Sequence, residues 1–184
     1  MDSPFKGKFL IASPALRDPN FAQAVVLLIT HDDSGAMGII INRPLSMTVA
    51  EAWQQVSSVP YVNDTPLHQG GPCEGMLMVL HRDESLAQIT VSDGIFLATD
   101  ADTVRQLVET GDDPMKFLVG YAGWSPGQLE EEIKEGAWVL ADAGPSEIFD
   151  TPEDLWLTLA RAASQSHPRP NIDPRRIPPD PSVN

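Results

Sequence analysis

Two almost unbroken apolar runs, Ala22 to His31 and Met37 to Asn42, flank the turn signal Asp32-Asp33-Ser34-Gly35. Val, Leu and Ile dominate both runs, and the Gly-containing turn between them predicts a β-hairpin. Neither run alternates between apolar and polar residues. A strand with one wet face alternates, so both faces of this hairpin should be covered. That requirement excludes a flat sheet open to solvent on one side and calls for further layers.

The remaining segments can supply those layers. Lys8 to Ser13 reads as a strand ending at Pro14. Met76 to Leu80, Ala87 to Val91 and Ile95 to Ala98 read as three more, the last two joined by Ser92-Asp93-Gly94. Thr48 and Glu51 make a capping box, and Val49, Ala52, Trp53 and Val56 fall on one buried helical face. Asp100 to Glu109 repeats the pattern with Ala101, Val104, Leu107 and Val108, and Gly111 suits its C-terminal cap.

Met115 to Tyr121 reads as a strand entering Gly120-Tyr-Ala-Gly-Trp-Ser-Pro-Gly-Gln-Leu-Glu-Glu-Glu132. There a turn rich in Gly and aromatic residues leads into a helix. Ser125 is placed as N-cap, Pro126 as first helical residue and Gln128 as the closing member of a capping box. Leu129 and Ile133 point inward, and Glu130-Glu131-Glu132 forms a solvated face. Ala137 to Ala141 is a further strand, and Thr151-Pro152-Glu153-Asp154 opens a last helix burying Leu155, Trp156, Leu159 and Ala160.

With 184 residues, 42% of them hydrophobic, the chain can bury a core as one domain. Residues 1–164 read as that domain. Residues 165–184 hold Pro168, Pro170, Pro174, Pro178, Pro179 and Pro181 among Arg169, Arg175 and Arg176. Such a segment forms no regular helix and reads as a disordered tail, or as an arm lying on a partner or on a second copy of the chain. The net charge of −14 sets the body against phosphate backbones and anionic membranes. Cys73 is the single cysteine, so no internal disulfide forms and no Cys cluster holds zinc. No apolar run approaches a membrane span, and no basic leader precedes an apolar stretch. A soluble cytoplasmic protein without metal or cofactor is expected.

Four stretches together resemble the bacterial YqgE/AlgH family. They are Gly7-Lys-Phe-Leu-Ile-Ala-Ser-Pro14, His31-Asp-Asp-Ser-Gly-Ala-Met-Gly-Ile-Ile-Ile-Asn-Arg-Pro44, Gln69-Gly-Gly-Pro72 and Gly120-Tyr-Ala-Gly-Trp-Ser-Pro-Gly-Gln-Leu-Glu130. The resemblance spans about Phe5 to Trp156 with the order kept. It implies an α+β fold with a forked, mainly antiparallel sheet curled into a pseudo-barrel and flanked by α-helices. It also implies a role in transcriptional regulation, since one branch of the family is linked to alginate control. It supplies no catalytic residues. Cys73 stands where family members more often carry Val, which argues against an essential thiol there.

Candidate chemistry is sparse. His31 beside Asp32 and Asp33 offers an imidazole and two carboxylates, but Asp-Asp-Ser-Gly is also what a hairpin turn needs. Asn42 and Arg43 end a buried strand, and Arg43 is suited either to an anionic ligand or to a structural pair. Gly70 and Gly71 form a loop that suits an anion nest or a tight turn. Gly123 and Trp124 offer a stacking surface or turn packing. Cys73 as a nucleophile would need His68 or His81 nearby. Gly-Trp-Ser-Pro-Gly matches the letters of a nucleophile elbow, but Pro126 lacks the N–H that the oxyanion hole needs after Ser125. Two functions are expected to compete. One is a non-enzymatic protein acting through protein partners without gripping DNA. The other is a small-ligand or anion-binding protein, or an enzyme, with a pocket uniting His31, Arg43, the Gly70-Gly71 loop and the Gly123-Trp124 segment.

Overall fold

The computed structural model describes residues 3–110 and 114–166. Ten strands run β1 Lys8–Ala12, β2 Val25–Asp32, β3 Gly35–Ile40, β4 Pro44–Thr48, β5 Pro66–Gln69, β6 Cys73–His81, β7 Ile89–Ser92, β8 Ile95–Ala98, β9 Lys116–Trp124 and β10 Trp138–Asp142. The helices are α1 Val49–Val56, α2 Ala101–Thr110, α3 Gln128–Lys134, α4 Pro145–Phe149 and α5 Leu155–Ser166, with a 3-10 turn at Glu84–Leu86.

All ten strands join one sheet in the order β10-β1-β2-β3-β9-β6-β8-β7. The β4–β5 pair branches off at β9. β5 runs parallel to β9, and every other pairing is antiparallel. The expected α+β class with a forked, mainly antiparallel sheet is therefore correct. The sheet curls without closing into a barrel, because β10 and β7 remain its two ends.

The curl explains why β2 is apolar and buried from Val25 to Ile29. Val25, Leu27 and Ile29 point into an inner core with Phe9, Ile39, Leu80, Leu97, Leu118 and Ile148. Their neighbours Val26 and Leu28 point the other way, into a second core with Leu10, Ile40, Trp124, Leu129 and Trp138. A third core, Val49, Trp53, Leu67, Val79, Val104, Leu107 and Phe117, seats α1 and α2 on the far arm. Alternate residues of one strand thus serve two layers, and each fully buried branched side chain contributes about 1.5–3 kcal/mol of transfer free energy.

The structure corrects several local expectations. β9 does not end at Tyr121; it runs through Gly120-Tyr-Ala-Gly to Trp124, so the supposed turn is strand. Gly127, not Ser125, is the N-cap of α3, and Pro126 lies in the turn before the helix. Half the expected capping box survives, since Gln128 Oε1 accepts from Ser125 N at 3.0 Å. The full box at Thr48 and Glu51 is present. Val56 and Ala101, expected inside, are exposed. α5 continues to Ser166, past the expected boundary at 164. Gly111 and the tail from residue 167 lie outside the described residues. β4, β5 and α4 carry no expectation from sequence.

Candidate functional site

One end of the hairpin holds His31, Gly123 and Trp124. His31 Nδ1 lies 2.5 Å from Ser3 Oγ, and Nε2 lies 2.9 Å from Glu130 Oε1. The Phe5 ring packs against the imidazole. Asp32 accepts the backbone N–H of Ser34 at 2.7 Å and also the Ser34 hydroxyl, which holds its carboxyl below the usual range. His31, Ala36 and Trp124 stand in register across β2, β3 and β9. Trp124 is 6% exposed, packs against Phe21 and Trp138, and donates its indole N–H to Glu132 Oε2 at 2.9 Å. Gly123 is exposed opposite Met37. Trp124 therefore presents no ring face to a ligand; it closes the second core.

Asn42 and Arg43 lie beyond the opposite end of β3. Asn42 Oδ1 accepts from Val25 N at 2.8 Å, and its Nδ2 donates to Gln23 O at 2.9 Å. Arg43 donates to the carbonyls of Asn20, at 2.5 Å, and Ala22, at 3.1 Å. Burial lowers its pKa, opposed by the charge of Asp18. Both side chains line a cavity of about 560 Å³ with Gln23, Glu153, Asp154 and Trp156.

Gly70 and Gly71 occupy the fork of the sheet. Gly70 N donates to Val119 O at 2.8 Å, and Gly70 O accepts from Ile40 N at 2.6 Å. The Gly70 N–H is thus committed to the ladder rather than free for an anion. A Cβ on Gly71 would collide with the Tyr121 backbone, and one on Gly120, at φ +81°, would lie 2.8 Å from Cys73 O. Gly70, Gly71 and Gly120 let two backbones cross here. Gly71 and Cys73 line a cavity of about 460 Å³ that neither His68 nor His81 reaches. No histidine that could serve Cys73 as a base lines that cavity. The expected single pocket is thus divided: Asn42 and Arg43 share one cavity, Gly71 borders another, and His31, Gly123 and Trp124 border neither.

Sequence reading missed three arrangements. Glu132, taken for part of a solvated face, receives both Trp124 and Trp138 indole N–H groups on Oε2, the latter at 2.8 Å, and Gln128 Nε2 on Oε1 at 2.8 Å. A buried donor pair explains it, and nothing in a run of three Glu distinguishes the last of them. Lys116, 5% exposed, donates from Nζ to Thr151 Oγ1 at 2.6 Å. Burial lowers its pKa to about 8, opposed by Asp150. Thr151 sits at φ +28°, strained for a β-branched residue. The third arrangement is a groove of about 250 Å³ between α1 and α2, lined by Trp53, Val56, Met76, Leu77, Val104 and Arg105, among others. Val56 is 62% and Met76 70% exposed. In sequence, Val56 sits on an apolar helical stripe and Met76 opens an apolar strand, so both read as core. Among the described residues no group of three or more His, Cys, Asp or Glu could hold a metal ion.

A family model described as AlgH-like matches residues 9–167. The chain belongs to the AlgH-like family. A UPF0301 protein of Vibrio atlanticus is 41% identical, with 80% of this chain and 86% of that protein aligned. One from Paracoccus denitrificans is 38% identical, covering 97% and 96%. The solution structure of the AlgH protein from Pseudomonas aeruginosa superposes with a TM-score of 0.73 at 34% identity, covering 89% of this chain and 91% of that one. A crystal structure from Corynebacterium diphtheriae, 23% identical with a TM-score of 0.70, shares the fold, covering 92% and 90%. The resemblance read from the four motif stretches is confirmed. No helix among the described residues is long and apolar enough to cross a membrane.

Proposed function

We propose that this AlgH-like protein is a non-enzymatic regulatory module of the cytoplasm that works by binding protein partners rather than DNA. The observation that carries the reading is the open groove between α1 and α2, where Val56 and Met76 leave large apolar side chains in water. Concentrated exposed apolar surface is costly to a soluble domain and marks interaction sites. The residues with catalytic chemistry point the same way: His31, Arg43, Trp124 and Lys116 are each engaged by neighbours within the fold. The net charge of −14 disfavours a nucleic-acid partner. A lone Cys73 suits a reducing compartment. The test is quantitative affinity capture from the native host with the wild type, Val56→Asp and Met76→Asp. Loss of a discrete set of partners in both variants supports the reading; partners retained unchanged would refute it. A gel shift at moderate salt should show no sequence-specific DNA binding.

A small-ligand reading keeps one supporting observation. Gln23, which lines the cavity of Asn42 and Arg43, adopts φ +58°, a strained conformation of the kind that collects at binding sites. A thermal-shift screen against nucleotides, sugar phosphates and divalent metals tests it. A stabilising compound whose effect vanishes in Arg43→Ala supports a ligand there.

A further inference from the structure

Three cavities follow one another along α5. The first, of about 580 Å³, lies between the C-terminal half of the helix and the β1–β10 end of the sheet, lined by Ile133, Val139, Leu140, Ala160 and Ala163 among others. All five of these apolar residues are only half-buried. Ser13 and Pro14 also line a second cavity, of about 420 Å³, which holds Arg17 and Trp156. The second shares Ala22, Gln23 and Trp156 with the cavity of Asn42 and Arg43. Shared walls make the three one groove, running from the end of α5 back to its start. At the start stand Glu153, Asp154 and Leu157, the last 39% exposed. Trp156 donates its indole N–H to Ala12 O at 2.8 Å, which fixes the ring as a wall of the groove. Open apolar surface of this kind is costly in water and marks a contact site.

The chain carries its own occupant, of the right length and charge order. α5 ends at Ser166, close after Ala163 in the wall of the first cavity, and residues 167–184 continue from there. Their six prolines exclude a regular helix and favour an extended course. The 12 residues of α5 span about 18 Å, which about six residues cover at the polyproline rise of about 3.1 Å. Arg175 stands nine residues beyond Ser166, which leaves about three to reverse direction. On that course Pro168, Pro170 and Ile172 meet the apolar end, Asp173 comes to Arg17, and Arg175 and Arg176 come to Glu153 and Asp154. Arg43, the cation of that last cavity, is already engaged by the carbonyls of Asn20 and Ala22. Proline-rich segments dock aromatic-walled grooves in this manner. We infer that residues 167–184 turn back along α5 and fill this groove in the same molecule, with Arg175 and Arg176 paired to Glu153 and Asp154. The inference goes beyond the α1–α2 reading and does not depend on it.

A nitroxide label on the full chain tests it by NMR. The label is attached at Asn171→Cys with Cys73→Ser, so that the chain holds one thiol, and the indole N–H signals of the four tryptophans are read. Their dispersion also shows that each variant is folded. Trp156 and Trp138, which line the groove, should lose most of their intensity, while Trp53, seated in the core under α1 and α2, should keep it. Glu153→Lys with Asp154→Lys should weaken the contact about two- to fivefold for each pair and bring the Trp156 signal back. Equal loss at Trp53 and Trp156, or no loss at either, would overturn the inference, as would a loss that ignores the two lysines. A mixture of spin-labelled chain with isotope-labelled chain lacking the nitroxide should show no loss. Loss at Trp156 in that mixture would place the segment on a second copy and overturn the inference as well.

Discussion

Glu132 shows how a single carboxylate can organise a core. Its two oxygens take three donors, two of them indole N–H groups of Trp124 and Trp138, which are 6% and 2% exposed. Replacing Glu132 with Ala leaves two buried donors without a partner and should cost about 2–4 kcal/mol. Glu131→Ala, one residue away on the exposed face, should fall within about 0.5 kcal/mol of wild type. Urea unfolding midpoints of the two variants separate a clamp from a solvated charge. Two other buried groups predict opposite ends of a pH profile. Burial, reinforced by the Lys116 charge, lowers the His68 pKa from 6.5 to about 4. The unfolded chain then binds the extra proton between those values, so stability falls as pH drops from 6.5 to 4. His81, whose pKa is also lowered by burial, with Asp83 opposing, adds to the same loss. His68→Gln should flatten the decline in melting temperature across that window. The lowered carboxyls of Asp32, Asp83, Asp100 and Asp142 act only at more acid pH. Lys116, at about 8 when folded against 10.5 otherwise, works in the alkaline range. There the unfolded chain holds the extra proton, so stability should rise from pH 8 to 10.5, and Lys116→Met should remove that rise.

β9 is the element on which the fold turns, because β3, β5 and β6 all pair with it. It serves three partners by changing neighbours at Gly120, where φ is +81° and the Gly70-Gly71 backbone passes too close for a side chain. Gly120→Ala combines a left-handed conformation with a backbone collision and should cost about 2–4 kcal/mol. Gly94→Ala, at φ +67° with open space around it, should cost about 1 kcal/mol. Equal costs, measured by chemical denaturation, would show that the crossing is not as tight as described. This element also marks where sequence reading succeeds and where it stops. The β2–β3 hairpin was legible because its apolar runs and Asp32-Asp33-Ser34-Gly35 turn are local signals, and the two-sided burial followed from missing alternation. The course of β9 was not, because Gly120 and Gly123 carry the marks of a turn, while the reason for Gly120 is a backbone that arrives from residues 70 and 71. β4 and β5 escaped notice for a related cause: β4 has exposed positions and Pro44, β5 begins at Pro66, and both are held by pairing rather than by burial. The candidate site divided for the same reason. His31 and Arg43 sit at opposite ends of a hairpin, a separation that strand length implies, whereas Val56 and Met76 became surface only through where α1 stops and β6 bulges.

The whole molecule is a curled ten-stranded sheet with an inner core, two outer cores and most of its reactive side chains committed to holding those layers together. Its charge of −14 opposes long-range approach to polyanions such as nucleic acids, an effect that weakens as salt rises. The proposed partner-binding surface is the groove of α1 and α2. Site-specific photocrosslinking in living cells tests that claim most directly, with the photoreactive residue placed at Val56 or Met76, and at Asp33 or Glu131 as distant exposed controls. Discrete crosslinked partners from positions 56 and 76, lost from each when the other of the two exposed residues is changed to Asp on an otherwise folded chain, are the predicted result. Crosslinks arising from positions 33 or 131 alone, or none from the groove, would contradict the account.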